Sequence, residues 1–201
     1  MALEIHRAKE VVNIPSSDDP DIRLGQGTVA LEFQEQMREM GEDSLSIIIV
    51  PCGGGGLLAG VGLACAGTGV KVFGCEPKEG GADEVVQGLK RGKRVETVDS
   101  LTVADGLRGV VGPGNWEIIS SKVYVEGVYA VTDDQIKSAT VLILEELKLF
   151  VEPSAAVPLA VVLYNEDFRA LMAKETGETK IGIVLTGGNM SVESLVDILQ
   201  S

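Results

Sequence analysis

Four consecutive glycines, Gly53-Gly54-Gly55-Gly56, separate an apolar run at 47–50 from a second one at 57–66. The first run is short and β-branched, as a buried strand is. The second is rich in Leu, Ala and Gly and long enough for a buried helix. Strand, glycines and helix together make an anion site, because the backbone can approach a phosphate closely and the free N–H groups of the helix start point at it. A flexible turn is the competing reading, but four glycines in a row are a costly way to turn. Thr186-Gly187-Gly188-Asn189 repeats the design between an apolar strand at 180–185 and a helix at 192–199. In open α/β sheets ligands bind beyond the carboxyl ends of the strands, so both clusters are expected on one edge.

The ligand is narrowed by what accompanies the glycines. A Walker A loop is excluded, since no Gly-Lys-Ser/Thr follows. A dinucleotide site stays open: Gly54-Gly55-Gly56-Leu57-Leu58-Ala59 satisfies G-x-G-x-x-A, and Glu76 ends the next strand where a ribose hydroxyl would be met. That reading leaves 186–189 unexplained. Cys52 adjoins the glycines and is a candidate nucleophile. With no histidine nearby in sequence, it is better read, like Cys65 and Cys75, as a small packing residue. The single histidine, His6, lies in a polar stretch and is expected at the surface; alone it makes no zinc site.

The elements that must position these residues alternate strand and helix. The chain has 201 residues, 45% of them hydrophobic and only 4% aromatic, with 25 glycines, and is expected to form one α/β domain over 1–201. The stretch 1–26, broken by Pro15 and Pro20, has loop composition, and a helix is expected from Val29 to Met40, ended by Gly41. Strands follow at 45–50 and 70–75, joined through the 57–66 helix as a parallel βαβ unit. Gly80-Gly81-Ala82-Asp83 precedes an amphipathic helix to about Lys90. The segment 100–114 is too glycine-rich for a regular element and too apolar for a solvent loop, as a segment wrapping a site would be. Further expectations are a helix at 116–120, strands at 123–125 and 129–131, a helix from the Thr132 cap to Phe150, and another capped by Ser154 and running to Tyr164.

The net charge of −13 argues against nucleic acid and anionic membrane surfaces as partners. Three unpaired cysteines fit a reducing compartment. Met1-Ala2-Leu3-Glu4 has no signal-peptide pattern and no apolar run is long enough to span a bilayer, so a cytoplasmic protein is expected.

Six segments together resemble one family. Val50-Pro51-Cys52-Gly53-Gly54-Gly55-Gly56-Leu57 is similar to the phosphate-cradling tetraglycine loop of the serine racemase and threonine/serine dehydratase family, pyridoxal-phosphate enzymes of the tryptophan-synthase-β fold type (type II). Gly25-Gln26-Gly27-Thr28-Val29-Ala30-Leu31-Glu32, Glu76-Pro77 with Ala82-Asp83, Ala104-Asp105-Gly106, Glu152-Pro153-Ser154-Ala155 and Thr186-Gly187-Gly188-Asn189 match further family segments in family order. The resemblance implies a three-layer α/β/α domain with a mostly parallel sheet, the large domain of that fold. It implies that backbone N–H groups of Gly53, Gly54, Gly55, Gly56 and Leu57 hold the cofactor phosphate. The Thr186 hydroxyl would meet the pyridine nitrogen, and Gly106 and Glu152 would line the ring. Serine is commoner than threonine at that position in the family, and the hydroxyl is kept. Glu76, the carbonyl of Ala82 and Glu84 (or Asp83, since the turn is two residues longer here) are implied ligands for Mg2+ or Ca2+. An acidic helix start is the competing reading. The implied substrates are serine, threonine or a hydroxyaspartate, with dehydratase or racemase chemistry and a homodimer. The family's Schiff-base lysine belongs to a motif that precedes these segments, and no lysine here has its context. The chain therefore resembles a C-terminal portion lacking the N-terminal part, with no catalytic residue of its own, and is expected to be inactive alone. A non-catalytic cofactor- or phosphate-binding or regulatory role is the alternative.

Overall fold

The computed structural model describes residues 14–42 and 45–200; His6 lies outside them. In chain order the elements are α1 (Pro20–Glu39), β1 (Ile47–Pro51), α2 (Gly56–Cys65), β2 (Lys71–Pro77), α3 (Glu84–Arg91), α4 (Pro113–Ile119), β3 (Gly127–Val131), α5 (Asp133–Leu142), α6 (Pro153–Tyr164), α7 (Glu166–Met172), β4 (Ile181–Ile183) and α8 (Val192–Gln200).

The four strands form a parallel sheet in the order β3-β2-β1-β4. β1 is buried at every position. Successive side chains of a strand point to opposite faces, so an all-apolar strand needs cover on both. Ile47 and Ile49 join Phe73, Cys75, Ile136 and Phe168 beneath α5, α6 and α7. Ile48 and Val50 join Val72 beneath α1 to α4, with Ala30, Leu58, Val85 and Ile119. The result is the expected three-layer α/β/α arrangement. From β1 the chain moves through α2 to β2 on one side, whereas β4 is added on the other. The strand order thus reverses between β1 and β4, which opens a crevice at their carboxyl ends. No described helix is long and apolar enough to cross a membrane.

Several expected boundaries shift, each for a local reason. The first helix starts at Pro20, not Val29, because Asp19 accepts a hydrogen bond from the Asp21 N–H and proline occupies the first turn. Residues 123–125 form no strand. Lys122–Tyr124 turn on the Ser121 carbonyl, which accepts from the N–H groups of Tyr124 and Val125. The α-helix begun by the Thr132/Gln135 capping box ends at Leu142, passes into one π-turn at Ile143–Leu147, and stops at Lys148 in the left-handed region (φ 58). Ser154 caps nothing: Glu152 is the N-cap residue of α6 and Pro153 begins the helix. The last strand pairs only at 181–183. α7 was not anticipated; Asn165 caps it by accepting from Phe168 N–H, and its Phe168 packs 5.5 and 5.4 Å from the rings of Phe73 and Tyr129.

α1 and α2 cross closely at Gly27 and Gly60. A Cβ on Gly60 would overlap the Arg23 carbonyl oxygen and stand 2.7 Å from the Gly27 nitrogen. Alanine gains about 1 kcal/mol in helix propensity over glycine, but forced overpacking of backbone on backbone costs about 1–3 kcal/mol or more. Gly60→Ala should therefore lower the urea midpoint, by a net loss of up to about 2 kcal/mol, at unchanged m value. A midpoint equal to or above that of the wild type would show a looser crossing.

Candidate functional site

β1 delivers the chain to the crevice at Pro51, and the glycines turn it into α2. Gly55, the N-cap residue, has φ +83, and a Cβ there would press on Ile119, Val111 and Asn115 at 3.0–3.2 Å. The backbone N–H groups of Gly53, Gly54, Gly55, Gly56 and Leu57 donate to no other described residue. These five residues line a cavity of about 240 Å3 together with Ser17, Gly106 and Thr186. Thr186 arrives from β4 on the other side of the crevice.

Glu152 lies next door. Its N–H donates to the Gly187 carbonyl (2.9 Å), and its Oε1 accepts from the Asn189 N–H (2.7 Å). It thus ties the Thr186 loop to the start of α6. It lines a second cavity, about 580 Å3, with Asp105 and Asn189, and Gly106 borders both cavities. The Gly106 N–H donates to Ser154 Oγ (3.0 Å), so that serine fixes the strip beside the cavity. The structure therefore gathers Gly53 to Leu57, Gly106 and Thr186 around one space and sets Glu152 on its neighbour.

The residues that the sequence did not single out are Ser17, Asp18, Arg23 and Asn115. Ser17 packs over the glycines: its carbonyl oxygen would lie 2.9 Å from a Cβ at Gly56. Asn115 is fully buried and donates to the Gly54 carbonyl at 2.8 Å. No motif marks these positions; a buried polar residue looks like any other polar residue until its neighbours are known.

At the end of β2, Glu76 and Glu84 form a buried carboxyl pair, with Ala82 also buried beside them. Glu76 accepts from the N–H groups of Val85 (3.2 Å) and Val86 (3.1 Å), and Glu84 accepts from Val111 N–H (3.3 Å). Asp83 accepts from Gln87 Nε2 at 2.6 Å, whereas Glu84 is the acid turned toward Glu76. Burial, then the neighbouring Glu84, push the Glu76 carboxyl well above its ordinary range, and burial pushes Glu84 up to about 7. Both shifts favour a protonated pair over a doubly charged one. Among the described residues there is no group of three or more His, Cys, Asp or Glu able to hold a metal, so a cation at this pair would need carbonyl and water ligands as well. Glu76 is spoken for by two amides and enclosed, and it offers no carboxylate to a ribose hydroxyl. Cys52 is buried, and burial first, with the two glutamates, raises its thiol, so it is held as the unreactive form.

The family model described as "Pyridoxal-phosphate dependent enzyme" matches residues 1–187. The chain belongs to that family. Serine racemase of Bos taurus is 36% identical over 189 residues, which cover 92% of this chain and 53% of that protein. The structure of maize serine racemase superposes with a TM-score of 0.84 at 34% identity, covering 98% of this chain and 58% of that one. The processed form of threonine deaminase isoform 2 from Solanum lycopersicum gives a TM-score of 0.82 at 28% identity, covering 99% and 52%. The chain thus spans about half the length of the curated relatives it matches.

Because both carboxyls titrate above their unfolded value of 4.5, the folded family member binds more protons than the unfolded chain between that value and about 7. The stability from Glu84 is fully present below the unfolded value and is lost as the pH rises through about 7, and that from Glu76 is lost as the pH rises through its own raised value. In chelator, the urea midpoint should fall between pH 5 and pH 8 by on the order of 2–3 kcal/mol of stability, and Glu84→Gln should flatten the fall. A midpoint that rises with pH in the wild type would contradict the shared proton.

Proposed function

We propose that this chain forms the phosphate and pyridine walls of a pyridoxal-phosphate enzyme that dehydrates or racemises a small hydroxy amino acid: serine, threonine or a hydroxyaspartate. The observation that carries this reading is the placement, across the β1/β4 crevice, of five amides without a partner among the described residues opposite Thr186 around one cavity. Unpaired N–H groups at a strand–helix junction are the donors a phosphate dianion requires. The residues present therefore fit the cofactor's two ends.

In this reading the amides of Gly53 to Leu57 hold the phosphate, and the Thr186 hydroxyl offers the pyridine nitrogen a neutral partner. Gly106 and Glu152 flank the ring, Glu152 through the 187–189 loop that it orders. Bound pyridoxal phosphate supplies an electron sink for the substrate α-carbon, and a neutral nitrogen partner weakens that sink in a way that suits elimination and racemisation over transamination. Glu76, the Ala82 carbonyl and Glu84 would take Mg2+ or Ca2+ in place of their shared proton, since both ions prefer oxygen ligands. Three buried free thiols suit a reducing compartment such as the cytoplasm. No lysine among the described residues lines the cleft. The reading therefore calls for an amine that these residues do not supply, and turnover is not expected of them alone.

Pyridoxal phosphate should bind saturably, compete with inorganic phosphate, and bind at least about tenfold more tightly than pyridoxal. Borohydride reduction should leave no specific lysyl adduct, and serine should not be consumed. Absence of phosphate-competed binding would overturn the proposal, and a specific adduct with turnover would overturn the inactivity. For the carboxyl pair, millimolar Ca2+ or Mg2+ should raise the urea midpoint at pH 8 and have little effect at pH 5, where protons hold the site. An equal effect at both pH values would argue against binding there.

A further inference from the structure

We infer that Asn115 is a positioning residue for the phosphate loop, which fixes the direction of the Gly54–Gly55 peptide and is itself held by Asp18 and Arg23. The inference rests on the phosphate reading above.

Asn115 is fully buried at the start of α4 and uses both of its amide hydrogens. Nδ2 donates to the Gly54 carbonyl (2.8 Å) and to the Ser17 carbonyl (3.1 Å), while Oδ1 accepts from Arg23 Nη1 (3.1 Å). The orientation of the carboxamide is forced by chemistry, because the two carbonyls can only accept and the guanidinium can only donate. The Asp18 carboxylate closes the ring. Its Oδ1 accepts from Asn115 N–H (2.8 Å) and Arg23 Nη1 (3.1 Å), and its Oδ2 accepts from Gly114 N–H (3.3 Å). Three distant stretches of chain thus meet on one side chain.

A trans peptide unit is planar, with its C=O and N–H pointing in opposite directions. Drawing the Gly54 carbonyl to Asn115 therefore aims the Gly55 N–H away from Asn115. Asn115 packs behind Gly55, outside the cavity that Gly53 to Leu57 line. Among glycines this peptide has little intrinsic resistance to flipping, and a flipped unit would present a carbonyl oxygen to a phosphate. Ser17, held by the same amide, limits the room above Gly54 and Gly56. The clamp preorganises donors before any ligand arrives, which reduces the ordering cost of binding.

The test uses the 15N-labelled chain without cofactor, and inorganic phosphate as the probe. In the wild type, relaxation should show the Gly54–Gly56 amides as ordered as those of α2. In Asn115→Ala, exchange of these amides should accelerate by about tenfold or more and phosphate affinity, from 31P titration, should fall by about tenfold. Phe168→Leu, in the opposite core layer, should lower the melting temperature yet keep phosphate affinity within about twofold. Mobile Gly54–Gly56 amides in the wild type would overturn the inference. So would a folded Asn115→Ala protein with phosphate affinity within about twofold of wild type. If Asn115→Ala fails to fold, Arg23→Met, which removes only the donor to Oδ1 and Asp18, should loosen the same amides, and unchanged exchange there would overturn it. A wild type that binds no phosphate would defeat the cofactor reading, while the order of the loop would still decide the clamp.

Discussion

Every position of β1 from Ile47 to Pro51 is buried, and parallel partners occupy both of its edges. A strand enclosed on four sides can release its chain only at an end, and the carboxyl end is where the glycines stand. Parallel pairing places the ends of β2 and β4 at the same level. That one enclosure sets Gly53 to Gly56, Glu76 and Thr186 along a single edge, although 129 residues lie between Gly56 and Thr186. The reversal of strand order beside β1 then leaves a gap that no crossover helix covers.

An edge of this kind is not yet a site, because glycine-rich backbone has little reason to hold one shape. The segment from Thr102 to Asn115 supplies the reason. It starts with the Thr102 hydroxyl and the Val103 N–H donating to the Asp133 carboxylate at 2.5 and 3.0 Å, passes Gly106 across the front of Gly53, and ends with Asn115 behind Gly54. Its mixed composition follows from that route. Ala104, Leu107 and Val111 must be buried, Gly106 must pass close to Ser154, and the polar ends must each be paired with a specific partner. Pairing of buried polar groups costs little when complete and much when partial, so such a segment is fixed as a whole.

The parts legible in the sequence were those where one residue type has one physical use. Apolar β-branched runs became parallel strands, and glycines at strand ends became turns that line the crevice. Legibility failed where tertiary contact overrode a local signal. Gly25 and Gly27 look like helix breakers, yet α1 runs through both, because Gly27 is what lets α2 approach at Gly60. Residues 123–125 have strand composition but no neighbouring strand to pair with, and Val123 is left exposed. Asp83 and Glu84 are adjacent acids at a helix start. Only the turn of the helix decides that one faces Gln87 and the other faces Glu76. Asn115 carried no signal, since its worth lies in three partners from elsewhere in the chain.

Val111 joins the two halves of the site. Its N–H donates to Glu84 Oε1, its side chain packs on the face of Gly55, and its carbonyl accepts from Arg94 Nη1 at 3.1 Å. The carboxyl pair and the glycine loop are therefore separated by a single residue whose backbone is bound to one and whose methyl groups bear on the other. A fully charged pair in so enclosed a place would be expensive. A proton, or a cation with oxygen ligands, lets Glu84 stay turned inward toward Val111. Were Glu84 to swing out toward water, Val111 would lose its N–H partner and Gly55 the wall that holds it at φ +83. The neutralisation of two buried acids and the shape of the glycine loop are thus one packing problem, solved on the same segment of chain.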